Sequence, residues 1–389
     1  TVSTSSDQTA IAPGYLQKEW TENGRKFYNY KSTTKVTNDF VFNSGQYEIK
    51  KDKWNDIRLE IYYDKGHEYN LDYLMDGMKA ALEYNEKFFG PYQHKQARII
   101  EYSRSQGDFG QSFANTIPLS EISFIMDIND DNENELNLFY LGAAHELSHQ
   151  WWGHQVIPAD VAGIRMITES MAEYVSLKVL QQNYGSYKTF LFLKKAMDIY
   201  LKKRTSYTIS EKPLMYNSGL GKSHIPYQKG SIVFNALSNY IGEENLNSAI
   251  KKFYEKVKFQ DPPYTTTIEI VDFIRQATPD SLQYLIKDFF ETVTFYDNRI
   301  VKIDKEKLPD GRYKVDIEYI ISKFRIDENG FKIYEDNPGE KLSFNSYESD
   351  DNIYSLPLSD YTEIGIFSDN NLKSRYPENS IYLKKHKSD

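Results

Sequence analysis

The chain of 389 residues carries 56 acidic against 47 basic side chains, a formal net charge of −9, which excludes a phosphate-tracking nucleic-acid face and counts against anionic membrane surfaces. It has no cysteine, so disulfides, thiolate metal ligands and cysteine nucleophiles are excluded, and no apolar run reaches the ~18 residues of a membrane span. With 40% hydrophobic residues, including 32 Tyr and 22 Phe, it reads as a folded protein with an aromatic core rather than a disordered chain.

The chain starts at Thr1 with no signal peptide, so it is expected to be a soluble piece processed or excised from something longer. Its polar opening, TVSTSSDQT, predicts a loose terminus. From about residue 15 to 65, short runs alternate apolar and polar, such as 36–42 (VTNDFVF) and 56–63 (DIRLEIYY), and predict strands. Leu71, Leu74, Met75, Met78, Leu82 and Phe88 then recur at helical spacing until Gly90-Pro91 stops them. The run 97–104 (ARIIEYSR) predicts a strand, and the Gly/Ser/Asn-rich stretch 105–120 a loop with an edge strand.

From about 139 to 293 the pattern is mostly helical, with Thr266 and Glu269 as a capping box ahead of Ile270, Val271, Phe273 and Ile274. After about 298 the period returns to two at Tyr313, Val315, Ile317 and Tyr319, and Asp310-Gly311 and Asn329-Gly330 are hairpin signals. The expected organisation is α+β: an N-terminal β segment at 1–65, a mostly helical domain at 66–297 and a small β domain at 298–389.

Three of the seven histidines fall within HELSHQWWGH, residues 145–154. His145 and His149 are four apart, about 40° round a helix, so both imidazoles point the same way. Two imidazoles on one face suit zinc, and Glu146 beside them can take a proton from water at the metal. The bland alternative is a core helix with polar passengers, yet chance yields His-Glu-x-x-His in so histidine-poor a chain only on the order of once in a hundred. A third ligand is available in Glu169, separated from His149 by nineteen intervening residues, enough to loop round and return antiparallel. Glu173 lies one turn further on the same face, placed to hold an imidazole N–H. His154 lies outside the pair and reads as a packing residue, since a catalytic zinc keeps one position open.

At these residues the sequence resembles the gluzincin metallopeptidases of the aminopeptidase N family, whose HExxHxWxG and NEGFAEY runs are similar to HELSHQWWG and TESMAEY here. A third run, IPYQKG at 225–230, resembles the family's PYxKG and implies Tyr227 as the oxyanion donor. The resemblance implies a thermolysin-like catalytic domain, one zinc per chain and a peptide substrate.

Two departures stand out. The gap from His149 to Glu169 is one residue longer than the family's usual spacing. The stretch GQSFANTIPLSE, residues 110–121, is similar to the substrate-reading GxMEN strand, implying Gln111, Ser112, Phe113, Ala114 and Asn115 as substrate-binding. Ala114, however, stands where the family has the Glu that holds the α-ammonium, which puts strict aminopeptidase action in doubt; Asp108 or Glu121 are the acids near enough to replace it. This variant pattern resembles a bacterial subset whose peptidase domain is fused behind an ABC-type permease, implying a membrane-associated parent. The rival expectation is a zinc-containing peptide-binding module of a transport complex with little or no turnover.

Overall fold

The computed structural model describes residues 1–327, apart from 129–131, 133, 206–210, 218–222 and 312, and the strand pieces 332–333, 363–366 and 381–384. The fold is α+β, in two units: Thr1–Lys203 with Asn217–Gln283, and Arg204–Tyr216 with Tyr284–Asp389.

The first unit opens with β1 (Val2–Ser5), β2 (Thr9–Ile11), β3 (Tyr15–Glu22), β4 (Arg25–Lys31) and β5 (Asn43–Gly45), arranged as an antiparallel β1-β4-β3 sheet and a β2-β5 pair. The polar opening is therefore not loose. The run at 36–42 is not a strand either: no partner pairs with it, and Phe40 and Phe42 stay 48% and 66% exposed. Its Asn38-Asp39 pair favours turns over a ladder.

The next sheet has the order β6 (Tyr47–Trp54), β7 (Ile57–Asp64), β8 (Gln96–Tyr102), β9 (Thr116–Ser120). β6 and β7 are antiparallel, the later pairs parallel. β7 buries Ile57, Leu59, Ile61 and Tyr63 on alternate positions, whereas central β8 is buried throughout, as a strand covered on both faces must be. Between them α1 (Leu71–Phe88) buries every apolar residue of the predicted stripe.

After the short α2 (Ile122–Ile125), α3 (Leu138–Ser148) lies against α1. Gly77 of α1 permits that approach, because a β-carbon there would run into the Tyr140 carbonyl. α4 (Met171–Thr205) is interrupted at Gly185, whose φ of 79° is open to glycine and strained for other residues. Then come α5 (Gly230–Ile241), α6 (Glu243–Val257) and α7 (Thr267–Ala277). Thr266 does stand at the N-cap of α7, but no capping box forms. Glu269 turns instead to Thr265 Oγ1 (2.7 Å) and to Lys256 (2.6 Å), a hydroxyl and a cation that outcompete the cap.

The second unit is built on a long hairpin of β10 (Val293–Lys307) and β11 (Tyr313–Ile326). It turns at Leu308–Gly311, where the Gly311 N–H donates to the Leu308 carbonyl at 3.0 Å, as Asp310-Gly311 predicts. Asn329-Gly330 lies outside the described residues. Lys323 and Arg325 both bond the buried Asp288, anchoring the base of β11. Among the described residues, no helix is long and apolar enough to cross a membrane.

Candidate active site

α3 is capped by Asn137, whose Oδ1 accepts from Tyr140 N at 3.0 Å. Phe139, Tyr140, Leu141, Ala143, Ala144 and Leu147 are all buried, so this is a core helix. His145 is carried in its last turn and His149 at its C-cap. The core reading of HELSH is observed, and it is compatible with the metal reading: apolar packing on most sides immobilises two imidazoles on one face.

Glu169 reaches the same spot from Met166–Ser170, a π-helical turn that runs into α4, and Glu173 follows one turn later. Nε2 of His145 and Nε2 of His149 are 3.1 Å apart, and each is 3.4 Å from Glu169 Oε2. The other ring nitrogens have their own neighbours. His149 Nδ1 lies 3.1 Å from the Trp152 carbonyl, which can only accept, so Nδ1 carries the proton. His145 Nδ1 lies 3.2 Å from Glu173 Oε1. Both Nε2 atoms are then left with lone pairs facing each other and a carboxylate, an arrangement that a cation stabilises. A tetrahedral zinc with bonds of ~2.0–2.1 Å has donor–donor edges of about 3.3–3.4 Å. The residues present fit zinc.

His154 stays out of the cluster. Its Nε2 is 3.1 Å from the Ser112 carbonyl and its Nδ1 3.2 Å from Thr37 Oγ1. A second group among the described residues, Asp64, His67 and Glu101, has spacing that a metal could use. There Glu101 is already committed to the Asp64 N–H (2.7 Å) and to His67 Nδ1 (2.6 Å), which accounts for the grouping structurally.

Glu146 lines a cavity of about 400 Å3 together with His145, Glu173 and Tyr227. Its Oε2 is buried with no hydrogen-bond partner among the described residues, and burial pushes its carboxyl up. Tyr227 sits on a second π-helical turn, Ile225–Lys229, ahead of α5, its ring stacked on that of His145 at 5.6 Å between centroids. Burial and then the negative charge of Glu169 push its phenol up, so it stays a proton donor. The two turns are pinned together: Ser170 Oγ donates to the Pro226 carbonyl at 2.6 Å, directly beside Gly230.

The segment anticipated as a substrate strand is folded back on its own chain. Ser120 N donates to the Phe109 carbonyl and Gln111 N to the Pro118 carbonyl, both at 3.2 Å, while Phe113 and Thr116 exchange bonds of 2.8 and 3.0 Å. The outer edge of β9 is thereby occupied. Phe109 and Gly110 line the cavity, whereas none of Gln111–Asn115 does. A β-carbon at Gly110 would come within 2.8 Å of Glu146 Oε1, so glycine lets this backbone reach the carboxylate. Ala114 is 1% exposed, and Asn115, in the left-handed region at φ 47°, accepts from Gly14 N at 2.9 Å.

One residue holds this fold-back in place and carries no spacing signal: Gln150, next to His149. Its amide donates to Ser112 Oγ (2.6 Å) and to the Phe113 carbonyl (2.8 Å) and accepts from Asn115 N (3.0 Å). Its only signal was a lone amide ahead of two tryptophans. Of the acids near Ala114, Asp108 accepts from Ser120 Oγ (3.2 Å) and shares a smaller cavity with Glu146, while Glu121 is turned to the Arg104 N–H (3.2 Å).

Residues 73–290 match the family model described as Peptidase family M1 domain. Among curated relatives, the leucyl aminopeptidase of Saccharolobus solfataricus is 22% identical over 261 residues, 63% of this chain and 32% of its own length. The aminopeptidase N of Lactobacillus helveticus is 22% identical over 248 residues, 60% of this chain and 29% of its own. The chain thus spans roughly a third of the length of these relatives. An M1 zinc metallopeptidase of Deinococcus radiodurans shares the fold with a TM-score of 0.57 at 15% identity, covering 74% of this chain and 62% of that one. A match over more than half its length makes this chain a member of peptidase family M1, the aminopeptidase N-type zinc metallopeptidases to which its three motifs pointed.

Proposed function

We propose that the chain is a zinc-dependent, aminopeptidase-like peptide hydrolase, with one zinc per chain held by His145, His149 and Glu169. The observation that supports this is the set of donor spacings, 3.1, 3.4 and 3.4 Å, which are those of one face of a zinc tetrahedron. Bound there, zinc supplies a Lewis acid for the scissile carbonyl and the attacking water. Glu146 takes the proton of that water and delivers it to the leaving amine, its raised affinity for a proton suiting both transfers. Tyr227 donates to the oxygen that gains charge, an interaction typically worth ~10²–10³ in rate. Glu173 and the Trp152 carbonyl keep the two imidazoles turned toward the metal. Extended peptide runs along Phe109 and Gly110, the part of the segment that lines the cavity.

A second reading, a zinc-containing peptide-binding module of a transport complex with little turnover, draws on Ala114, which offers no anion to an ammonium. One experiment separates the two. Zinc content and peptide hydrolysis are measured for the unmodified protein and for Glu146→Gln, which is expected to keep zinc and lose turnover. His149→Ala should lose zinc and His154→Ala keep it. No zinc uptake after reconstitution, or undiminished hydrolysis by Glu146→Gln, would overturn the proposal.

A further inference from the structure

Charge is placed unevenly on the walls of the 400 Å3 cavity. Glu146, Glu173 and His145 gather at the α3 side, whereas α4 beyond Gly185 contributes Phe192, Lys195, Ala196 and Ile199. These fall at i, i+3, i+4 and i+7, a single helix face. Three of the four are apolar, as a face turned toward a cavity should be, and Lys195 is the exception.

Other lysines of α4 have partners in the protein. Lys178 pairs with Glu243 at 3.1 Å, Lys188 donates to the Asn132 carbonyl at 3.2 Å, and Lys194 pairs with Asp198 at 2.7 Å. Lys195 is exposed, and no hydrogen bond, ion pair or ring contact engages it among the described residues. It pairs with neither Glu146 nor Glu173, although all three line the same cavity. Glu173 is drawn to the His145 ring instead. Among the described residues, no other lysine or arginine lines this space. An ammonium on a flexible stem, on the same cavity-facing helix side as Phe192, Ala196 and Ile199, has one group to gain from a peptide: a carboxylate.

We propose that Lys195 is a specificity-determining residue, which selects peptides presenting a carboxylate to the cavity wall formed by the second half of α4. The carboxylate is either the C-terminus of a short peptide or an acidic side chain; both offer the same chemistry. The inference rests on the peptide-hydrolase reading, and its test reads binding so that the two can fail separately.

The zinc-loaded Glu146→Gln protein, in which turnover is blocked, is titrated calorimetrically with Leu-Gly-Gly, with its C-terminal amide, and with Leu-Gly-Glu amide. One carboxylate-bearing peptide should bind about five- to tenfold tighter than Leu-Gly-Gly amide, with the gap shrinking at high salt, as for a charge pair partly in water. A preference for Leu-Gly-Gly identifies the C-terminus as the source, and a preference for Leu-Gly-Glu amide identifies the side chain. Adding Lys195→Met should abolish the preference and Lys195→Arg should keep it. Equal binding of all three peptides, or a preference that survives Lys195→Met, overturns the assignment while leaving the hydrolase reading intact. Absence of hydrolysis by the unmodified zinc protein, with the Lys195-dependent preference present, removes the catalytic reading and leaves the carboxylate site standing.

Discussion

Gly230 offers the sharpest test of how the site is held. It begins α5 just after the Tyr227 turn and touches Ser170 at the end of the Glu169 turn. A β-carbon at 230 would lie 2.6 Å from Ser170 Cβ and closer still to its Oγ. Ordinary carbon contacts are ~3.5–4.0 Å, so Gly230→Ala must force the two turns apart by about 1 Å. Packed interiors do not absorb such a gap freely, and overpacking costs ~1–3 kcal/mol, or a Tm lower by about 2–5 °C in a unit of this size. The same 1 Å would shift the proposed oxyanion donor away from a proposed ligand of the metal, and displacement on that scale can cost ~10²-fold in rate. Differential scanning calorimetry and single-turnover kinetics on Gly230→Ala read the two effects. Adding Ser170→Gly removes both clashing atoms and should restore the rate, while forfeiting the Ser170–Pro226 bond. An unchanged Tm and rate in Gly230→Ala would show that the turns are not locked together as their contact implies.

Acid stability should depend on His94, which is 3% exposed and whose imidazole burial pushes down to about 3. Its folded pKa lies below the unfolded value of ~6.5, so the unfolded chain binds more protons in between: stability is complete above pH ~6.5 and falls as pH drops toward 3. At pH 5 the loss from this group is about 2 kcal/mol, and His94→Gln should remove that much of the pH 7.5-to-5 difference in urea unfolding; an identical pH slope in the variant would refute the burial argument. At Ala114, the absent carboxylate predicts that acetylated and free peptides differ by less than the ~10–150-fold implied by a charge-assisted bond of ~1.5–3 kcal/mol. A strong free-amine preference in the unmodified protein would show that another acid has taken the role, and Asp108 is the one placed beside Glu146.

The motifs were legible because each obeys a local rule. The four-residue step of His145 and His149 needs only helical geometry, and α1, β7 and β8 announced themselves by period and burial. The run at 36–42 has the strand period but lacks a partner, which no local pattern reports. Thr266 and Glu269 have capping-box spacing, but Lys256 and Thr265, brought near by the fold, compete for the carboxylate. The fold-back of 109–115 was illegible for the same reason: it depends on the Gln150 amide, thirty-five residues beyond Asn115 in the chain.

The break at Gly185 makes α4 a pair of levers on one joint. Glu173 and Ser176 stand before it, Phe192 and Ile199 after it, and all four face one cavity. From Gly185 to Ile199 the arm is about 21 Å long at ~1.5 Å per residue. A rotation of 5° about the joint carries Ile199 through about 2 Å while Glu173 and the imidazole beside it stay still. Nothing lies within 4 Å of where a β-carbon at 185 would sit, so the joint has open space round it. Cavity residues thus sit on both sides of a helix break: a change of the two backbone torsions at Gly185 would move Phe192 and Ile199 while leaving Glu173 and the proposed metal-binding face where they are.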